Sequence, residues 1–92
     1  MSSRILFKSM RVRVLFFGVL KEIFSRAEQE LELPEGSTAG DLLLRVASRA
    51  EAAQKALATA AVAVNREYAQ AATLLHDHDE VALLPPVSGG SR

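Results

Sequence analysis

The chain has 92 residues, enough for one small domain with a limited core. Hydrophobic residues make up 49% of it, too many for wholesale disorder, and its 11 basic and 11 acidic side chains cancel, leaving no overall field to attract nucleic acid or an anionic membrane. It has no cysteine, which excludes a disulfide scaffold, a thiolate metal site and persulfide or thioester chemistry on its own side chains.

No apolar run approaches a membrane span, and Met1 to Ser9 lacks the apolar stretch and small-residue cleavage site of a secretory signal, so the expected compartment is the cytoplasm. Residues 1–9 read as an N-terminal extension with no pattern that would order it, and Met10 can serve as an alternative start. Arg11 to Phe17 then alternates as a strand, with Val12, Val14 and Phe16 on one face and Arg11, Arg13, Leu15 and Phe17 on the other. Gly18 breaks it. Val19, Leu20, Ile23 and Phe24 recur at helical spacing, which predicts a short helix to about Arg26.

Glu28 to Leu33 alternates again, with Leu31 and Leu33 inward and Glu28, Glu30 and Glu32 outward, the pattern of a half-solvated strand. Its acids follow a basic stretch: Arg4, Lys8, Arg11, Arg13, Lys21 and Arg26 precede it with only Glu22 opposed. If the two strands pair, opposite charges face each other across the ladder. Arg11 and Arg13 then belong to a solvated, ion-paired face, although an acidic partner surface would suit them too. After the Pro34-Glu35-Gly36 turn, Thr38 and Asp41 have the spacing of a capping box with the shorter acid. The helix it opens carries Leu42, Leu43, Val46 and Ala50 on one stripe, and the Ala-rich stretch Ala52 to Ala58 is helical as well, anchored by Leu57.

Ala61 to Val64 reads as a strand of small residues that turns at Asn65-Arg66 into Glu67-Tyr68-Ala69. Leu74 and Leu75 form an apolar pair before His76-Asp77-His78-Asp79-Glu80. That last segment could be imagined as a metal cluster, but no further ligand elsewhere closes a tetrahedral site, and acidic and small polar residues are what a solvated turn uses. No metal ligand is therefore assigned.

Val81 to Leu84 is long enough for one buried strand. Pro85 and Pro86 stop it, because neither can donate a backbone hydrogen bond. Val87-Ser88-Gly89-Gly90 follows with almost no side chain. Gly-Gly alone marks many frayed termini. Behind an apolar strand and a stiff Pro-Pro it describes an arm that presents its own end, and two glycines suit a backbone entering a narrow channel. One long crossover helix among short strands predicts an α+β, ubiquitin-like β-grasp roll: a mixed sheet packed on one main helix, over residues 10–87, with first and last strands side by side and residues 88–92 as a flexible tail.

Val14-Leu15-Phe16-Phe17-Gly18, Ala63-Val64-Asn65, Asp79-Glu80-Val81 and, above all, Pro85-Pro86-Val87-Ser88-Gly89-Gly90 together resemble the MoaD-type sulfur carriers, the molybdopterin synthase small-subunit family within the MoaD/ThiS β-grasp group. The resemblance runs from Met10 to Gly90, and the P-P-V-S-G-G ending is its specific element. It implies chemistry at the terminal carboxylate of Gly90, with Gly89 beside it. An adenylating enzyme of the ubiquitin-activating type (MoeB-type) uses ATP to activate the glycine, and a sulfurtransferase supplies the sulfur that makes it a thiocarboxylate. The tail then enters the large (MoaE-type) subunit and donates sulfur to cyclic pyranopterin monophosphate.

The resemblance also implies that the carrier binds no cofactor and holds no catalytic group of its own, with no nucleic acid or membrane among its partners. Absence of a Walker-type loop, a dinucleotide fingerprint and a nucleophile motif agrees with that. By alternation Phe17 and Leu84 point away from the core faces and Tyr68 lies just past a turn; the resemblance places all three at the large-subunit contact and Pro85, Pro86, Val87 and Ser88 along the inserted arm. For the first three, simple packing under the main helix is an equal alternative. A ubiquitin-like protein modifier, or a sulfur carrier for another pathway (thiamine, thiolated tRNA, cysteine), would use the same ending.

Ser91 and Arg92 depart from the family pattern, since Arg92 rather than Gly90 carries the free carboxylate. Removal by a peptidase, residues left by cloning, or a carrier inactive as written are the three readings, and a β-grasp interaction domain with a vestigial tail is the bland alternative to a carrier. An active carrier matured to Gly90 is the expectation.

Overall fold

The computed structural model describes residues 8–86. The two alternating stretches form an antiparallel pair, β1 (Ser9–Phe16) against β2 (Glu28–Pro34), with Val12 opposite Leu31 and Met10 opposite Leu33. This register puts the apolar residues of both strands on one face, and Met10, Val12, Val14, Phe16, Leu31 and Leu33 are all buried. On the other face Arg11 lies 3.8 Å from Glu30 and Arg13 3.8 Å from Glu28, so the opposed charges do meet across the ladder. Between the strands runs α1 (Val19–Phe24), whose Leu20 is fully buried and whose Phe24 ring stacks on Phe16 at 4.8 Å between centroids. It ends at Ser25 in the left-handed conformation, φ 56°.

The capping box opens α2 (Ala39–Ala47): the Thr38 hydroxyl accepts from the Asp41 N–H at 3.2 Å and the Asp41 carboxylate accepts from the Thr38 N–H at 2.9 Å. Leu42 and Val46 are buried against the sheet. The expected single main helix is in fact two. Ser48 closes α2, its hydroxyl donating to the Arg45 carbonyl at 2.8 Å, and Ala50 adopts an extended φ of −153° as the first residue before α3 (Glu51–Ala58). Ala50 thus leaves the stripe on which helical spacing places it. The break lets Ala53 and Leu57 of α3 reach the core from a second direction, beside α1 and α2.

A hairpin follows, β3 (Ala61–Val64) and β4 (Glu67–Ala69), joined by Asn65 and Arg66 with φ of 50° and 73°. Two positive φ values in a two-residue loop match the right-handed twist of the strands, which is why asparagine is favoured there. The apolar pair after it is split: Leu75 is buried while Leu74 is exposed and bridges to Thr38. The last strand, β5 (Glu80–Leu84), inserts between β1 and β3, parallel to the first and antiparallel to the second. The sheet order is β2-β1-β5-β3-β4, a mixed five-stranded sheet with the three helices against one face, the β-grasp roll. First and last strands do lie side by side. Among the described residues no helix is long and apolar enough to cross a membrane.

Candidate functional site

The site is the end of β5 and the sheet face around it. Val81 and Leu83 are completely buried on the helix side, so the alternate residues Glu80, Ala82 and Leu84 face the open side. Register then carries a row across four strands: Leu15 pairs with Ala82, Ala82 with Ala63, and Ala63 with Tyr68. Leu84, paired with Ala61, lies one step nearer the exit, where Phe17 leaves β1. Phe17 is 44% exposed and Tyr68 81% exposed, whereas Leu84 is half-buried. Two aromatic rings thus flank a floor of alanine and leucine, a shape suited to burial by another protein.

The opposite end of the same face is ionic. Glu80 lies 3.9 Å from Arg13 and 3.7 Å from Arg66, next to the Arg13–Glu28 and Arg11–Glu30 pairs. These pairs are well solvated on the arginine side and contribute little stability each. What they do is divide the face, leaving the apolar part at the end where the chain exits.

The start of β5 is fastened by a network. Asp79, 9% exposed, accepts from the Asn65 amide at 2.9 Å and from the His76 N–H at 2.7 Å. The Asn65 side-chain oxygen accepts from the Glu80 N–H at 3.0 Å, and the Asn65 N–H donates to the Glu80 carbonyl at 2.8 Å. Two residues earlier, Asp77 accepts from the Arg11 N–H at 2.7 Å, and the His78 N–H donates to the Arg11 carbonyl at 2.7 Å. His76, Asp77 and His78 are exposed, as a turn requires, but Asp79 is a buried fastener between β5, β3 and the loop. Among the described residues no group of three or more His, Asp or Glu side chains is arranged to hold a metal ion.

At the far end, β5 stops at Leu84, Pro85 is half-buried and Pro86 is exposed. Val87, Ser88, Gly89 and Gly90, and with them Ser91 and Arg92, lie outside the described residues. Of the residues singled out in the sequence, Phe17, Leu84 and Pro85 gather at the exit and Tyr68 stands at the far side of the same face. Sequence reasoning passed over Leu15, Ala63 and Ala82. Period-two spacing with Phe17 and Leu84 carries that signal for Leu15 and Ala82, and no local pattern carries it for Ala63.

The profile of the ThiS family matches residues 14–90. A molybdopterin synthase sulfur carrier subunit from Chlamydomonas reinhardtii is 37% identical over 83 residues, covering 88% of this chain and all of that protein. Among solved structures, a Pyrococcus furiosus protein provisionally named molybdopterin converting factor, subunit 1, is 30% identical, with a TM-score of 0.77 over 85% of this chain and 99% of that one. A chain of the Helicobacter pylori protein-protein complex of subunits 1 and 2 of molybdopterin-converting factor is also similar. It is 30% identical with a TM-score of 0.59, over 88% of this chain and all of that one. With the family profile matched across most of its length and a relative aligned from end to end, the chain belongs to the ThiS family.

Proposed function

We propose that this protein is the sulfur carrier subunit of a molybdopterin synthase and that it works through the carboxylate of Gly90, made terminal by removal of Ser91 and Arg92. The observation that carries the reading is β5: a central strand, hydrogen-bonded on both edges, whose chain continues through Pro85-Pro86 to Gly89-Gly90. The relatives named as sulfur carrier subunits support it. The carboxylate is a poor electrophile. Its reaction with ATP releases pyrophosphate and gives an acyl adenylate, from which AMP is a good leaving group for attack by sulfur. The product is a thiocarboxylate, a nucleophile that needs no cysteine, and its sulfur passes to cyclic pyranopterin monophosphate.

The catalytic groups for activation and for transfer belong to the partners: an adenylating enzyme, a sulfurtransferase and the large synthase subunit. Gly89 and Gly90 allow the arm to pass a channel that a Cβ would block, and Ser88 and Val87 connect it to the stiff Pro85-Pro86 base. Phe17, Tyr68 and Leu84, with Leu15, Ala63 and Ala82 between them, form the surface for the large subunit. The Helicobacter pylori complex of the two converting-factor subunits supports such a partner.

ATP–pyrophosphate exchange with a cognate adenylating enzyme tests the reading. A chain ending at Gly90 supports exchange and the full-length chain does not; equal exchange from both refutes the use of Gly90. Intact mass spectrometry of the protein from its native cell separates the carrier from a protein modifier. Replacement of one terminal oxygen by sulfur identifies a carrier, and adducts of higher mass a modifier.

A further inference from the structure

Because β1 and β5 run parallel, their C-terminal ends lie side by side, with Phe16 opposite Leu83. The residue that follows this end of β1 by two is Gly18, and the residue that ends β5 is followed by Pro85. The two meet: a Cβ built on Gly18 would lie 3.1 Å from Cγ of Pro85 and 3.9 Å from its Cδ. Gly18 also holds φ 57° and ψ −135°, a conformation costly for any residue with a side chain. It is fixed there by its surroundings, since the Leu20 N–H donates to the Phe17 carbonyl and the Lys21 N–H to the Gly18 carbonyl, both at 3.1 Å.

Pro85 has no N–H, so the ladder that anchors β5 cannot extend to it. What remains to orient the chain at this point is packing of its ring. We propose that Gly18 is a positioning residue for the C-terminal arm: its bare Cα is the seat of the Pro85 ring, and that seat sets the direction in which the chain leaves the sheet. This rests on the proposed carrier function only for its consequence, which is that the base of the arm at Pro85 is set before a partner is met. Pre-aiming removes orientational freedom that insertion into a channel would otherwise have to remove. Gly18 therefore acts through Pro85, not on the reacting atoms.

The absence of native cysteine allows a single spin label at Ser88→Cys in the full chain, with paramagnetic broadening of the domain's backbone amides reporting where the arm lies. Gly18→Ala shifts the broadened set of amides, because the new methyl displaces the Pro85 ring. In a Pro85→Ala background, which lacks the ring atoms at contact, Gly18→Ala produces no further shift. An unchanged pattern in Gly18→Ala, or an equal shift in both backgrounds, overturns the proposal. Should Gly18→Ala fail to fold, Pro85→Ala alone decides: the pattern moves if the ring orients the arm, and stays if it does not.

The label measurement is independent of sulfur chemistry. Exchange kinetics on chains ending at Gly90 then report its consequence: with Gly18→Ala, kcat/KM for the carrier falls about tenfold. No exchange from the unsubstituted chain, together with the expected label shifts, refutes the carrier reading and leaves the role of Gly18 standing.

Discussion

Asp79 shows how one side chain can fasten the start of a central strand. Its two carboxylate oxygens accept from Asn65 and from the His76 N–H, and Asn65 in turn grips both polar groups of the Glu80 backbone. Asp79→Ala leaves the His76 N–H and the Asn65 amide without partners in a part-buried site, which is expected to cost about 2 kcal/mol. Urea denaturation followed by circular dichroism measures this, and Asn65→Ala in the Asp79→Ala background should add less than it costs alone, since the two share one network. Phe17 makes the complementary case. It is 44% exposed at the exit, outside the core cluster, so Phe17→Asp should abolish binding to a large synthase subunit in calorimetry while the thermal midpoint moves little. Unfolding instead would place the ring in the core.

At the scale of elements, legibility depended on whether the determining contacts are local. Alternation in Arg11–Phe16 and Glu28–Leu33 is a property of each strand, so both strands and their inward faces were readable. The Thr38–Asp41 capping box spans three residues, and it too was readable. Thr38→Ala should cost about 1 kcal/mol by thermal or urea unfolding, the usual loss for an N-cap hydroxyl. The break at Ser48 to Ala50 was not readable, because an Ala-rich run is helix-favouring throughout and the interruption serves the packing of α3 on α1 and α2. The row Leu15–Ala82–Ala63–Tyr68, exposed only at its Tyr68 end, was not readable as a row either. Alternation had already set Leu15 and Phe17 on the face away from the core, but the row itself exists only once three inter-strand registers are set. The meeting of Gly18 with Pro85 is of the same kind, a product of placing the last strand parallel to the first.

At the scale of the whole molecule, the sheet order decides how firmly the last described strand is held. A terminal strand is ordinarily the first to fray. Here the terminal strand is the middle one: β5 is held by β1 on one side and β3 on the other, with Val81 and Leu83 under the helices. Pulling the arm therefore loads two ladders and the core at once. The edge strands are β2 and β4, and β4 is only three residues long and largely exposed. Amide hydrogen exchange should consequently invert the usual order, with Leu83 and Val81 among the slowest amides, opening only with global unfolding, and Ala69 of the edge strand exchanging much faster through local opening. Leu83→Ala, which removes a fully buried side chain from the central strand, should cost about 3 kcal/mol and accelerate exchange across β1, β3 and β5 together. If β5 instead exchanged as fast as β4, the base of the arm would open with the chain terminus. Insertion of the tail would then involve the strand itself and not the glycines alone.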